Sequence, residues 1–222
     1  MPQEVAADKR TVKLPRVRIS FTDTLVTAGV AKGVEDGRPA YGCNIIVEKS
    51  HPNFAALDAR IREALSEAGR QFNGKENLYK TIAEDNPKRV AYRSGNRFKN
   101  DDGVIYDGYE GNFAISAKGP KAGRERPKLL DRRKRDVTRD DKDIPVVFYS
   151  GTYADVICSF YATDKGGQGI FCSIDAIRSH EEGERLGGGG ITVTDDMFDD
   201  LPDDDAFGGD GDGDTGGGDF GI

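Results

Sequence analysis

The chain has 222 residues, 36% hydrophobic and 32% charged, with 29 Gly and no Trp; this fits one domain with polar appendages and excludes fibrous and disulfide-rich classes. Its net charge of −7 is unevenly placed, because from Asp195 onward there are eleven Asp and no Lys, Arg or Glu, which leaves residues 1–194 at +4. A mildly basic body with an acidic tail removes the objection that an acidic total would raise to a polyanionic partner.

Residues 1–11 are polar and predict a flexible N-terminus. Arg16-Val17-Arg18-Ile19-Ser20-Phe21 then alternates with period two, so Val17, Ile19 and Phe21 share one face and Arg16, Arg18 and Ser20 the other. That reads as a half-buried strand with an open basic face. A Gly-rich connection from Gly29 to Gly37 leads to a second apolar strand, Tyr41 to Val47. Ser50-His51-Pro52-Asn53 supplies capping chemistry, and Phe54, Leu57, Ile61, Leu65 and Ala68 recur at helical spacing before Gly69, predicting one amphipathic helix.

From about residue 70 to 145 the chain is polar and irregular, with a short strand expected at Asn112 to Ala117. The clearest sheet signal is a hairpin, Gly151–Tyr161 and Gln168–Ile177, joined by Thr163–Gly167. Ala154, Val156, Cys158 and Phe160 share its buried face with Ile170, Cys172, Ile174 and Ala176; Tyr153, Tyr161 and Phe171 lie on the other. The folded part ends near Gly187–Gly190, so a domain over residues 12–190 precedes a disordered acidic tail over 191–222. About five short strands, one helix and long loops predict a mainly β fold, a small barrel or a sandwich, and not alternating βαβ units.

Catalytic signals are sparse. His51 and His180 read as solvated surface residues, and no phosphate-loop, nucleophile-elbow or zinc-protease motif occurs. Cys43, Cys158 and Cys172 lack metal-ligand spacing and read as small buried hydrophobes of a protein in a reducing cytoplasm. No apolar run approaches eighteen residues, so no membrane partner is expected. Asp210, Asp212 and Asp214 imitate the start of a calcium loop, but its required Gly is Thr215 and its bidentate Glu is Gly221, so no metal and no cofactor is expected. A metal-dependent nuclease or recombination enzyme using Asp155 and Asp175 remains the alternative from another class.

Nucleic-acid binding is better supported. Lys88, Arg89, Arg93, Arg97 and Lys99 enclose no acidic residue, are interleaved with Tyr92 and Phe98, and are followed by Tyr106, Tyr109 and Phe113. Cations that track phosphates and rings on which any base stacks are what single strands require. A second stretch, Lys118 to Arg139, holds ten Lys or Arg, among them Arg126 and Lys128, against Glu125, Asp131 and Asp136. The bland readings are solvated loops for the charges and sheet packing for the tyrosines. Arg16, Arg18, Tyr153 and Tyr161 complete the expected surface. Tethered to a basic groove, the tail is expected to act as a polyanionic competitor, with Phe220 and Ile222 as an apolar plug for a partner protein; the alternative is a solubility tail.

Residues from about 14 to 190 resemble a family of bacteriophage single-stranded DNA-binding proteins. The resemblance rests on Arg16–Phe21, Tyr41–Lys49, Tyr109–Ala117, Arg126–Asp131 and above all Tyr149-Ser-Gly-x-Tyr-Ala154, Phe160-Tyr-Ala162, Gly167-Gln-Gly-Ile170 and Glu184-x-Leu-Gly-Gly188. It implies an OB-fold barrel decorated by loops, a non-catalytic binder of single strands without strong sequence preference, acting in phage DNA replication or recombination in the host cytoplasm. It also implies that the tail docks replication or recombination proteins, although Gly221 and Ile222 follow Phe220 here, which departs from the familiar ending. An RNA-binding regulator shares the same physics. Monomer and dimer are both left open.

Overall fold

In the computed structural model, which describes residues 8–30, 37–72 and 77–187, the period-two stretches become strands and the 3.6-period stretch a helix. The order is β1 (Thr11–Ser20), α1 (Asp23–Val26), β2 (Gly42–Val47), α2 (Phe54–Gly69), α3 (Leu78–Asp85), β3 (Tyr92–Ser94), β4 (Phe113–Lys118), α4 (Pro120–Gly123), β5 (Lys128–Leu130), α5 (Ile144–Val147), β6 (Tyr153–Thr163) and β7 (Gly169–Glu181). The strands lie in the order β3-β4-β2-β1-β6-β7-β5, and a further pairing of β4 with β7 closes the sheet. The ring is therefore β1-β2-β4-β7-β6 and back to β1. It is antiparallel throughout except at the parallel β4–β7 seam, which rests on Ala117↔Cys172 and Lys118↔Ser173. This is a five-strand closed barrel with OB connectivity, and β3 and β5 extend it from β4 and β7.

Alternation fills the barrel. Leu14 and Ile19 of β1, Ile45 of β2, Ile115 of β4, Val156, Cys158 and Phe160 of β6 and Ile170, Cys172 and Ile174 of β7 are all buried in one cluster. All three cysteines are free and buried, and burial pushes the Cys43 thiol up to about 12, so they behave as small hydrophobes. Helix α2 lays Leu57, Ile61, Leu65 and Ala68 against β1 and β6. Helix α3 lies in the stretch where loop is expected and adds Tyr79 and Ile82 to the same core; its two buried positions are too few to stand out as a periodicity.

Three local expectations change. The face of β1 carrying Arg18 and Ser20 is covered: Arg18 is 9% and Ser20 3% exposed. Arg18 Nε donates to the Gly151 carbonyl at 3.1 Å and its Nη2 to that of Glu184 at 2.6 Å, with the Glu48 carboxylate 3.7 Å away. In β7 a bulge opposite Ile157 and Cys158 shifts the alternation, so Ile177 is buried in place of Ala176. His51 is buried, not solvated: its Nε2 lies 3.2 Å from the Pro15 carbonyl while Nδ1 accepts from the Asn53 N–H at 3.1 Å. Among the described residues no helix is long and apolar enough to cross a membrane. Of the expected flexible start, residues 1–7 lie outside the described residues, as does the expected acidic tail with Phe220 and Ile222; residues 8–11 are ordered instead, with Arg10 paired to Asp8 at 2.7 Å, the Thr11 N–H donating to the Asp8 carbonyl at 2.9 Å and Thr11 opening β1.

Candidate nucleic-acid interface

Residues of β2 and β4 with the opposite parity to the core face outward. There Ile46 and Ala114 are covered by Phe98 and Tyr109, with Ile105, Tyr106 and Leu186 packed around them. Tyr109 anchors this second cluster: its hydroxyl shares a hydrogen bond with Ser20 Oγ at 2.6 Å and accepts from Asn44 Nδ2 at 2.9 Å. Burial pushes its pKa up to about 12 against the opposing effect of those hydrogen bonds. Phe98 and Tyr106 flank Tyr109 with ring centroids 4.9 and 6.2 Å away. Phe21 leaves β1 with φ 54°, stands 42% exposed, and meets Tyr106 edge to face at 4.9 Å. The result is one aromatic wall.

A second wall rises across the β4–β7 seam. Tyr161 and Phe171 are cross-strand partners with ring centroids 6.2 Å apart. The Arg89 guanidinium lies 5.1 Å over Phe171. It also fastens the β6–β7 turn, donating to the carbonyls of Gln168 at 3.2 Å, Lys165 at 2.9 Å and Gly167.

Between the walls runs a groove of about 850 Å³, whose charged lining residues are Lys88, Arg89, Arg93, Lys118 and Lys165, with no carboxylate among the lining residues. Lys88, Lys118 and Lys165 are exposed and form the rim; Asn44, Ser116 and Arg93 are partly buried and form the floor. The neighbouring concavities differ: Arg126 and Lys128 share theirs with Asp136, Asp140 and Asp141, and Arg132, Arg133 and Arg135 share theirs with Asp131, Glu181 and Glu182.

Strand β3 explains why neighbouring residues part company. Tyr92 points into the core, 5% exposed, and donates its hydroxyl to Asp58 of α2 at 2.8 Å; Arg93 points to the groove. The Arg93 guanidinium stacks 4.3 Å over Phe98 and donates to the Val90 carbonyl and to Ser116 Oγ, each at 3.1 Å. Burial, helped by the like charge of Arg97 and opposed by Tyr109, lowers its pKa, yet a guanidinium remains charged at any physiological pH. Its charge thus stands in a low-dielectric floor without a counter-ion on the groove's lining.

Of the residues expected from sequence, Arg89, Arg93, Phe98, Tyr106 and Tyr161 line the groove, and Tyr109 supports it from beneath. Arg97 and Lys99 are exposed beside it. Tyr92 and Phe113 do not line it: Phe113 stacks on Tyr92 at 5.3 Å and Phe54 at 6.1 Å, facing α2. Arg16, Arg18 and Tyr153 gather elsewhere, with Arg16 paired to Glu181 at 2.5 Å and both guanidiniums over the Tyr153 ring, at 4.8 and 5.6 Å. Arg126 is a brace: it donates to the carbonyls of Thr138 and Val26, both at 2.6 Å, and lies 5.1 Å over Tyr41, a ring that does line the groove. Lys128 sits 3.9 Å from Asp136. Phe21, Tyr41, Asn44, Ser116, Lys118, Lys165 and Phe171 also line the groove, brought together by closure of the barrel.

The carboxylates of the nuclease alternative are already engaged. Asp155 accepts from the Arg16 N–H at 3.0 Å and from Arg178, and lies 3.2 Å from His180 Nδ1; Asp175 accepts from Ser159 Oγ at 2.9 Å. Burial alone would raise the Asp155 pKa, but the Arg178 side chain and the Arg16 N–H together hold it below the usual value. Among the described residues no group of three or more His, Cys, Asp or Glu could hold a metal ion.

A family model described as Enterobacter phage Enc34, ssDNA-binding protein, matches residues 10–207. No curated protein matches the chain. Among solved structures, the single-stranded DNA-binding protein from bacteriophage Enc34 in complex with ssDNA is 17% identical with a TM-score of 0.63, covering 80% of this chain and 90% of that one. The same phage protein solved without that description of a complex is 18% identical with a TM-score of 0.62, covering 86% and 92%. At these identities the likeness is one of fold.

Proposed function

The chain belongs to the family of the Enterobacter phage Enc34 ssDNA-binding protein, and from that premise we propose that its groove binds single-stranded DNA, non-catalytically and without strong sequence preference, sheathing strands in phage replication or recombination. One observation carries the reading: among the described residues, five cations and no carboxylate line a groove between two aromatic walls. Bases stack on Tyr161, Phe171, Phe21 and Tyr106, and phosphates meet Lys88, Arg89, Lys118 and Lys165. The eleven Asp from Asp195 onward act as a tethered competitor for these cations, and Phe220 and Ile222 dock replication or recombination proteins.

The test is a titration of fluorescent oligo-dT with the full chain at low and moderate salt. Saturable binding that weakens with salt, and tightens when the chain is cut after Thr194, is expected; the tightening shrinks as salt rises. No binding at low salt overturns the reading. Cleavage of the strand in magnesium would move the protein to the nucleases, and equal competition by a matched RNA would make it an RNA binder.

A further inference from the structure

We propose that the groove floor reads the edge of one base, with Arg93 as the reader, and favours a carbonyl-bearing base over adenine at that place. The inference rests on the single-strand reading and adds a specificity residue to it.

Arg93 differs from the other cations of the groove in position and in fixation. The rim lysines are exposed, whereas Arg93 is partly buried beside Ser116 and Asn44. A base lying on the wall rings turns its sugar and phosphate toward the rim and its far edge toward this floor. There the guanidinium is held on three sides: its face by Phe98 at 4.3 Å, and its edges by the Val90 carbonyl and Ser116 Oγ at 3.1 Å each. Those two bonds use two of the five donors of a guanidinium and leave three N–H groups in a fixed plane. No carboxylate among the described residues pairs with it, so its free donors seek acceptors from the ligand.

Asn44 is held too, because its Nδ2 donates to the buried Tyr109 hydroxyl at 2.9 Å and that hydroxyl is tied to Ser20 Oγ. Its carbonyl oxygen has no partner among the described residues. The floor therefore presents a rigid donor fork beside one acceptor. Such a fork binds the O6 and N7 acceptors of a 6-oxopurine in bidentate fashion, and adenine, which carries an amino group at that place, offers it a donor instead. A mobile rim lysine would not discriminate in this way.

The experiment compares oligo-dA with the same strand in which alternate adenines are replaced by hypoxanthine. The phosphates and the N7 acceptor are identical; the 6-amino donor becomes a 6-oxo acceptor and N1 gains a proton, and the Arg93 variants separate readout of that edge from any difference in stacking. The full chain should bind the hypoxanthine strand at least about fivefold tighter. Arg93→Gln and Arg93→Lys should abolish that ratio while leaving the dependence of affinity on salt unchanged. Equal binding of both strands by the unaltered chain overturns the inference and leaves the single-strand reading standing; failure to bind either strand overturns the single-strand reading itself. A preserved ratio in Arg93→Gln, with a salt slope shallower by about 0.7, would make Arg93 a phosphate ligand and also overturn it. The ratio for the unaltered chain needs no variant, so a poorly folding substitution does not decide the matter.

Discussion

Lys118→Gln is the most direct probe of the groove's electrostatics. Lys118 is exposed at the end of β4, beside the seam where it pairs with Ser173. Its side chain is exposed and its pairing in the sheet is made by the backbone, so the substitution should leave the fold unaltered. On the proposed reading Arg93 serves a base edge and four lining cations serve phosphates: Lys88, Arg89, Lys118 and Lys165. At about 0.7 per neutralised phosphate on a single strand, log affinity should fall with log salt at a slope of about −2.8, and the variant's slope should be about −2.1. Between about 50 and 200 mM salt the parent then loses about 50-fold in affinity and the variant about 18-fold. Fluorescence anisotropy of labelled oligo-dT across a salt series reads both slopes, and thermal melting checks that the two proteins are equally stable. An affinity loss in Lys118→Gln without any change in slope would refute the phosphate assignment.

Stacking has a separate signature. Phe171→Ala removes one face of the Tyr161–Phe171 wall and should weaken oligo-dT binding by about 1–3 kcal/mol, with little change in salt slope because no charge is lost. Isothermal titration at two salt concentrations separates this from a charge effect. Asp155→Asn addresses stability. The folded-state pKa of Asp155 lies below the usual value, so its contribution is fully present above the unfolded value of about 3.9 and is lost as pH falls through the folded value. The variant should therefore be less stable at neutral pH, the gap closing toward acid in denaturant melts; a gap independent of pH would contradict the ion-pair account.

How much of this was legible in the sequence depended on whether one residue's surroundings came from its own strand. Helix α2 and the buried faces of β6 and β7 up to Ile174 follow from period alone, since each element there supplies a continuous apolar face. Period also separates Tyr92 from Arg93 on β3, but which of the two faces is solvent depends on α2, which covers the Tyr92 side from a distance in sequence. The same holds for Phe113, an aromatic that reads as a platform until Phe54 is seen packed on it. Arg18 reads as open because nothing local closes it; the Glu184 carbonyl, 166 residues further on, does, whereas Arg16 stays exposed and pairs with Glu181. Conversely Lys118 and Lys165 flank strand ends and turns, where charge carries no periodic signal, and although period puts Phe171 on the open face beside Tyr161, only the ring order of the strands sets all three around one groove.

The parallel seam consists of two residue pairs, Ala117↔Cys172 and Lys118↔Ser173, and the groove straddles it, with Ser116 and Lys118 on one bank and Phe171 on the other. On the proposed reading, a strand lying across both banks would work as a clasp on the shortest junction of the ring. Breathing of the barrel at that junction and release of the strand then become a single linked event, since a ligand that favours the closed ring stabilises it by its own binding free energy. On the proposed reading, amide exchange at the seam should be slowest when the groove is filled, and a protein that has lost its strand should also be the one whose hoop most readily springs open.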